Sequence, residues 1–228
     1  FNNPGHLTRN NSGTIESTVS ANTEAGFSIV KYTGNATAGA TIGHGLSSAP
    51  DLIIVKLLDA TKDWYVFSEL LGQSGGEYQY LELNTTDAAT TFATQEVWNG
   101  DLPTSDLFTI TGGSADNSNN NDYIAYCWHS VAGYSKIGSY TGDNSTDRLI
   151  TTGFDVSFVM IKKTNGSSNW QTFDIKRGGN KQLDFNSSTA EFTASSAPIE
   201  FVSNGFRIKT NYTTYNATGG EYIYMAFK

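Results

Sequence analysis

A chain of 228 residues that is 38% hydrophobic and 13% aromatic, rich in Thr, Ser, Asn and Gly and with only 2 Met, has material for a buried core and the composition of many short strands. Its net charge of −8, with no basic stripe, disfavours nucleic acid and anionic lipid as partners. No apolar run approaches the roughly 20 residues of a membrane span, so no membrane insertion is expected, and the single cysteine, Cys127, excludes an intrachain disulfide.

Residues 1–25 are polar and punctuated by Pro4-Gly5 and Asn11-Ser12-Gly13. They read as an extended arm or linker, mobile in an isolated monomer and ordered only against a neighbouring subunit. Phe1 is not an initiator residue, which suggests a fragment or a processed product. A strand is expected over Gly26–Tyr32, then a turn at Thr33-Gly34-Asn35 and a short strand around Thr41-Ile42. Pro50 stands just outside the next strand, where no ladder donor is needed. The run Leu52-Ile53-Ile54-Val55 lacks alternation, so both of its faces should be covered. Trp64 and Phe67 are three apart, which demands either two buried faces or a bulge that re-aims one ring. A short turn of helix fits Phe67 to Leu71.

The segment Asp51–Phe67 recurs as Ser157–Phe173. Lys56, Trp64 and Phe67 each have a counterpart 106 positions on, at Lys162, Trp170 and Phe173. Tyr32-Thr33-Gly34 matches Tyr140-Thr141-Gly142, and Asp122-Tyr123-Ile124 matches Glu221-Tyr222-Ile223. In the closing strands Tyr123, Ala125 and Cys127 share one face, and Ile124, Tyr126 and Trp128 share the other. A fixed-offset pattern of this kind is the signature of internal duplication. The expected fold is all-β: two tandem antiparallel β-sandwich, jelly-roll-like repeats over 26–131 and 132–228, after an arm over 1–25. Two such halves can also share one stack of sheets.

Chemistry is sparse. His6, His44 and His129 are isolated in sequence, and His44 has no histidine counterpart in the second repeat. Cys127 fits a small buried hydrophobe, and His129 two residues on sets up no triad. The scattered aspartates fit turns, and none suggests the carboxylate pair about 5 or about 6.5–9.5 Å apart that a glycosidase needs. Asp116–Asp122 lacks the ligand pattern of a calcium loop and reads as a polar loop. No catalytic residue, metal or cofactor is expected. One asymmetry stands out: the first repeat carries Gln95–Pro103, with Trp98, Asn99 and Asp101, and the second has no Trp there. An exposed indole beside Asn99 and Asp101 would suit a glycan, ring face to pyranose and polar groups to hydroxyls. The competing expectation puts Trp98 in the core beneath a loop.

The chain resembles a family of tandem β-modules in virion proteins of bacteriophages, marine and cyanobacterial phages especially. The segments that carry the resemblance include Gly26–Asn35, Thr41–Leu46, Asp51–Lys56, Asp63–Phe67, Tyr123–Cys127, Gly133–Lys136 and Glu221–Phe227. Thr8–Ala25 is similar to the connector that joins such modules to an upstream one, and Lys228 departs from the acidic residue on which such chains often end. The resemblance implies a non-enzymatic tail fibre, head fibre or capsid-attached appendage on the virion surface. It also implies other virion subunits as partners, a homotrimer, and attachment to a host cell-surface glycan. The alternative it leaves is a capsid decoration or fibre shaft that binds no receptor.

Overall fold

A computed structural model describes residues 7–91 and 97–228, with the side chain of Val97 excepted. Among them the regular structure is all-β, in antiparallel sheets, with two short 3-10 turns at Glu69–Leu71 and Val97–Gly100 and no helix long and apolar enough to cross a membrane. The chain divides into two units, Phe1–Glu82 with Thr90–His129, and Leu83–Ala89 with Ser130–Lys228. The division between the units falls between His129 and Ser130, and Leu83–Ala89 belongs with the second unit.

The first unit contains β1 (Thr8–Asn10), β2 (Ser17–Asn22), β3 (Phe27–Thr33), β4 (Ala40–Gly43), β5 (Leu52–Leu57), β6 (Tyr65–Phe67), β7 (Gln73–Ser74), β8 (Glu77–Tyr78), β9 (Leu81–Glu82), β10 (Leu107–Ile110) and β11 (Asp122–Trp128). Its main sheet runs β1-β2-β3-β11-β5-β6-β9, with β4 and β10 forming a second, smaller sheet. Ile53, Val55, Tyr65, Phe67, Tyr123, Ala125 and Cys127 from the main sheet meet Ala40, Ile42, Phe108 and Ile110 from the small one in a single core. Leu52 and Ile54 are buried outside that cluster, so the unbroken apolar run is covered on both faces. Phe67 points into the core. Trp64, just before β6, stacks on Tyr126 at 6.3 Å on the opposite face. The two rings take opposite sides, as alternation alone dictates, and no bulge is required.

Over residues 8–22 the expectation of a free arm is overturned, and residues 1–6 of that arm lie outside the described residues. Residues 8–22 form a hairpin on the edge of the main sheet, with β2 paired to β3 through Thr18↔Lys31 and Ser20↔Ile29. Ile15 and Val19 enter the core, and the buried Ser17 hydroxyl donates to the Gly43 carbonyl at 2.8 Å. At Ile15 the chain also bridges to Ile42 of the small sheet. The stretch is ordered by its own unit rather than by a neighbouring subunit.

The second unit contains β12 (Ser135–Thr141), β13 (Arg148–Thr151), β14 (Phe158–Lys163), β15 (Gln171–Asp174), β16 (Lys181–Asp184), β17 (Phe192–Thr193), β18 (Ile199–Val202), β19 (Gly205–Ile208) and β20 (Glu221–Phe227). Its main sheet runs β12-β20-β14-β15-β16-β17, and its smaller sheet runs β13-β19-β18. The order β12-β20-β14-β15-β16 parallels β3-β11-β5-β6-β9 of the first unit. Register agrees as well: Ile53 faces Phe67, and Val159 faces Phe173. Tyr32 stacks on Tyr123 at 5.3 Å and Tyr140 on Tyr222 at 4.8 Å, each pair with rings inclined by 10°.

The repeated lysines do the same job in different surroundings. Lys56 Nζ donates to the Lys62 carbonyl at 2.7 Å and Lys162 Nζ to the Ser168 carbonyl at 2.6 Å, each closing its own hairpin turn. In the second unit Leu83–Ala89 lies over that turn. The Thr86 carbonyl accepts from Lys162 Nζ at 3.0 Å and from the Ser168 amide at 2.8 Å, and Ala89 N–H donates to the Thr164 carbonyl at 2.7 Å. Lys162 is therefore 0% exposed, with Nζ 5.9 Å from the centre of the buried Trp170 ring, whereas Lys56 and Trp64 are half-buried.

Candidate functional site

The residues singled out from sequence are mostly used up by the fold. His44 is buried; Nε2 lies 3.1 Å from the Thr104 carbonyl and Nδ1 accepts from the Leu46 amide at 3.1 Å. Both nitrogens hold a loop in the neutral form, and burial lowers the imidazole pKa. Cys127 is fully buried, and burial pushes its thiol up to about 12, so it offers no thiolate. Among the described residues no group of three or more His, Cys, Asp or Glu side chains gathers in a way that would hold a metal.

The polar loop at 116–122 turns inward. The Asp116 carboxylate accepts from the Thr111 amide at 2.9 Å and the Thr111 hydroxyl at 2.7 Å. Asn117 Nδ2 donates to the carbonyls of Thr111 and Thr37 at 2.7 and 2.9 Å, and its Oδ1 accepts from the Asn35 amide at 2.8 Å. Asn216 is its counterpart in the second unit: Nδ2 donates to the Ser145 carbonyl at 2.7 Å, and Oδ1 accepts from the Asp143 amide at 3.2 Å. Gly34 and Gly142 allow the loops to close. A Cβ there would lie 2.3 Å from the Ser118 carbonyl oxygen or 2.0 Å from that of Ala217. These buried amides satisfy loop backbone that would otherwise be orphaned.

Trp98 is corrected from a sugar platform to a core plug. It is 2% exposed and packs edge-on against Phe67 at 5.1 Å and Phe108 at 6.5 Å. The cause is the backbone: Trp98, Asn99 and Gly100 have φ of 58°, 54° and 72°, a left-handed run that tips the indole inward. Its Nε1 is buried without a hydrogen-bond partner among the described residues. Asn99 is half-buried and Asp101 exposed, so no ring face lies between them for a sugar to stack on. Gln95 and Glu96 of the same insertion lie outside the described residues.

An aromatic recess does exist, in the second unit. It is a shallow, open hollow of about 90 Å³ between β17, the loop that follows it and the segment after β19. Phe192 and Tyr212, 59% and 66% exposed, present their rings at its rim, and the buried Tyr215 and Thr210 form its floor. Ser195 and Ser196 add exposed hydroxyls, and none of the lining residues is charged. The floor is fixed: the Tyr215 hydroxyl donates to Gln182 Oε1, its ring packs on Phe173 at 5.9 Å, and burial raises its pKa. The Thr210 hydroxyl accepts from the Tyr212 amide at 3.3 Å.

The recess is a specialisation of the shared scaffold. Asn117 N–H donates to the Gly113 carbonyl at 2.8 Å, and Asn216 N–H to the Tyr212 carbonyl at 2.9 Å, so Tyr212 occupies the place of Gly113. By the same correspondence Tyr215 occupies the place of Asp116: the Tyr32 hydroxyl donates to the Asp116 carbonyl at 2.7 Å and the Tyr140 hydroxyl to that of Tyr215 at 2.8 Å. The sequence signal that could have found the site is this pair of Tyr replacements at aligned positions.

The model of a family described as a domain of unknown function, DUF7483, matches residues 2–228. The chain belongs to the DUF7483 family. No curated protein and no solved structure matches it.

Proposed function

We propose that this DUF7483 chain is a non-enzymatic, saccharide-binding module of a phage virion appendage, a tail or head fibre that attaches to a host-surface glycan. The observation that carries the saccharide reading is the recess at Phe192 and Tyr212. Two exposed ring faces, hydroxyls beside them and an uncharged lining suit the alternating C–H and O–H faces of a neutral sugar. So open a hollow would bind weakly, and avidity would come from several copies in a homotrimer. Placement on a virion rests on the resemblance of the repeated segments to phage β-modules. Screening the assembled protein on a glycan array tests the reading. Binding that Tyr212→Ala and Phe192→Ala each weaken at least about tenfold, as loss of an aromatic anchor does, supports it. An array without a hit, or a hit that both variants retain, overturns it.

A second reading, a structural virion subunit without a receptor, is favoured by a different surface. Phe27, Trp128, Tyr126 and Trp64 form a continuous stack at 4.9, 6.2 and 6.3 Å on the outer face of the first unit's sheet, all half-buried. Such a strip suits contact with another subunit. Sedimentation of Trp128→Ser separates the two: dissociation of the assembly with sugar binding by the monomer intact would assign the strip to assembly and leave the recess to the glycan.

A further inference from the structure

The parallel between the two units breaks at one edge. In the first unit the outer side of β3 is taken by β2. In the second unit β12 stands where β3 does, beside the strand that carries its stacked tyrosine, yet β12 is the terminal strand of its sheet among the described residues. We infer that the β12 edge is an acceptor for an extended strand supplied by another polypeptide, one with the inward-apolar, outward-polar alternation that Ile15–Ala21 shows against β3.

Three observations converge on this edge. The hydrogen-bond parity is open toward it. Ser135 N–H donates to the Val131 carbonyl at 2.9 Å and Ile137 N–H to Ser130 Oγ at 3.0 Å, so odd-numbered residues turn their backbone groups outward. That cover ends at Ile137. Ser139 and Thr141 are exposed, and their outward groups face no strand among the described residues. The edge also lacks the usual guards: β12 has no proline, and its one charge, Lys136, is turned to the Thr151 carbonyl at 2.9 Å. The neighbouring small sheet is uncovered at the matching place. In the first unit the chain reaches Thr41 and Ile42, with Ile15 N–H donating to the Thr41 carbonyl at 3.1 Å. The register Ile42↔Phe108 corresponds to Ile150↔Phe206, so the residue equivalent to Thr41 is Leu149, a large aliphatic side chain left 47% exposed. An incoming strand would cover Leu149 and complete the ladder at Ser139 and Thr141.

The first unit states the chemistry of the occupant: small or β-branched residues inward at alternate positions, hydroxyls and amides outward, no charge at the centre. The inference is independent of the saccharide reading, since recess and edge share no residue. The probe is a synthetic peptide with the sequence of residues 13–23, added to the full chain while backbone amide exchange is followed by NMR. The expected result is exchange slowed at least about tenfold at Ser139 and Thr141 and unchanged at Gly138 and Tyr140, whose amides already face β20. A peptide carrying Val19→Lys, which places a charge on the inward face, is expected to lose this effect. Three results would overturn the inference: no slowing at millimolar wild-type peptide; equal slowing by the Val19→Lys peptide; or slowing without peptide that grows with protein concentration, which would mean that two β12 edges pair with each other.

Discussion

At Trp98 an aromatic residue holds a left-handed backbone conformation, a strained state that persists because the indole fills the space between Phe67 and Phe108. Trp98→Ala should cost about 3–5 kcal/mol, the range for deleting a large buried aromatic, read as a lower urea midpoint for the first unit. Trp98→Phe should cost less, because it also removes the unpartnered Nε1. Asp116 makes a second residue-scale prediction. Burial outweighs the two hydrogen bonds from Thr111 and raises its pKa from 3.8 to about 6. The folded state therefore binds this proton more tightly than the unfolded chain does. The stabilisation it brings is complete below the unfolded value and is lost as pH rises through about 6. His44 acts in the opposite sense: its lowered pKa contributes stability above the unfolded value of 6.5 that is lost as pH falls through the folded one. The two partly cancel in the wild type, so the check is a difference curve. Asp116→Asn should show a stability that falls more steeply on acidification than wild type between about pH 6 and pH 4. Sequence could offer only alternatives for Trp98, because an indole beside Asn and Asp looks the same whether the backbone tips it inward or outward.

At the scale of elements, the central hairpins were legible because an unbroken apolar run and its Lys, Trp and Phe recur at a fixed offset, and the closing strands because their residues sort onto two faces in the same way in both copies. The β1–β2 hairpin was not. Only Ile15 and Val19 mark its inward face, and the Ser, Thr and Asn around them carry the composition of a linker. Ile15→Ala should cost about 2 kcal/mol or more, which a mobile arm would not register. The segment Leu83–Ala89 was equally invisible, since its tie to the second unit runs through backbone carbonyls. Lys162→Met removes the donor shared by Thr86 and Ser168 while keeping the chain's bulk. Amide exchange at Ala89 should speed up about tenfold or more, as local opening becomes easier. Lys56→Met, in a half-exposed turn with one carbonyl partner, should change stability by less than about 1 kcal/mol. The pKa of Lys162, lowered to about 8 by burial, means that the native state sheds this proton before the unfolded chain does. Its contribution is present above the unfolded value of 10.5 and is lost as pH falls through about 8.

For the molecule as a whole, composition and repeated pattern were enough to indicate an all-β chain in two similar parts, because strand-forming residue content and fixed-offset matches are both carried by the sequence itself. The aromatic recess depends on something a single pattern does not carry: a difference between equivalent positions of two copies, Gly113 against Tyr212 and Asp116 against Tyr215. Loop chemistry that is structural in the first unit is replaced by aromatic surface in the second. That division of labour makes the second unit the place to look for a ligand and leaves the first unit's polar loop as reinforcement.

The tyrosine pairs give each half of the chain a built-in optical probe. Rings lying nearly parallel at 5.3 and 4.8 Å share their electronic excitations, and the resulting near-ultraviolet dichroism vanishes once side-chain packing loosens, even where strands persist. Replacing Tyr32 by Phe silences one probe and replacing Tyr140 by Phe silences the other. A pair of melting curves then tells whether the halves come apart together or one after the other.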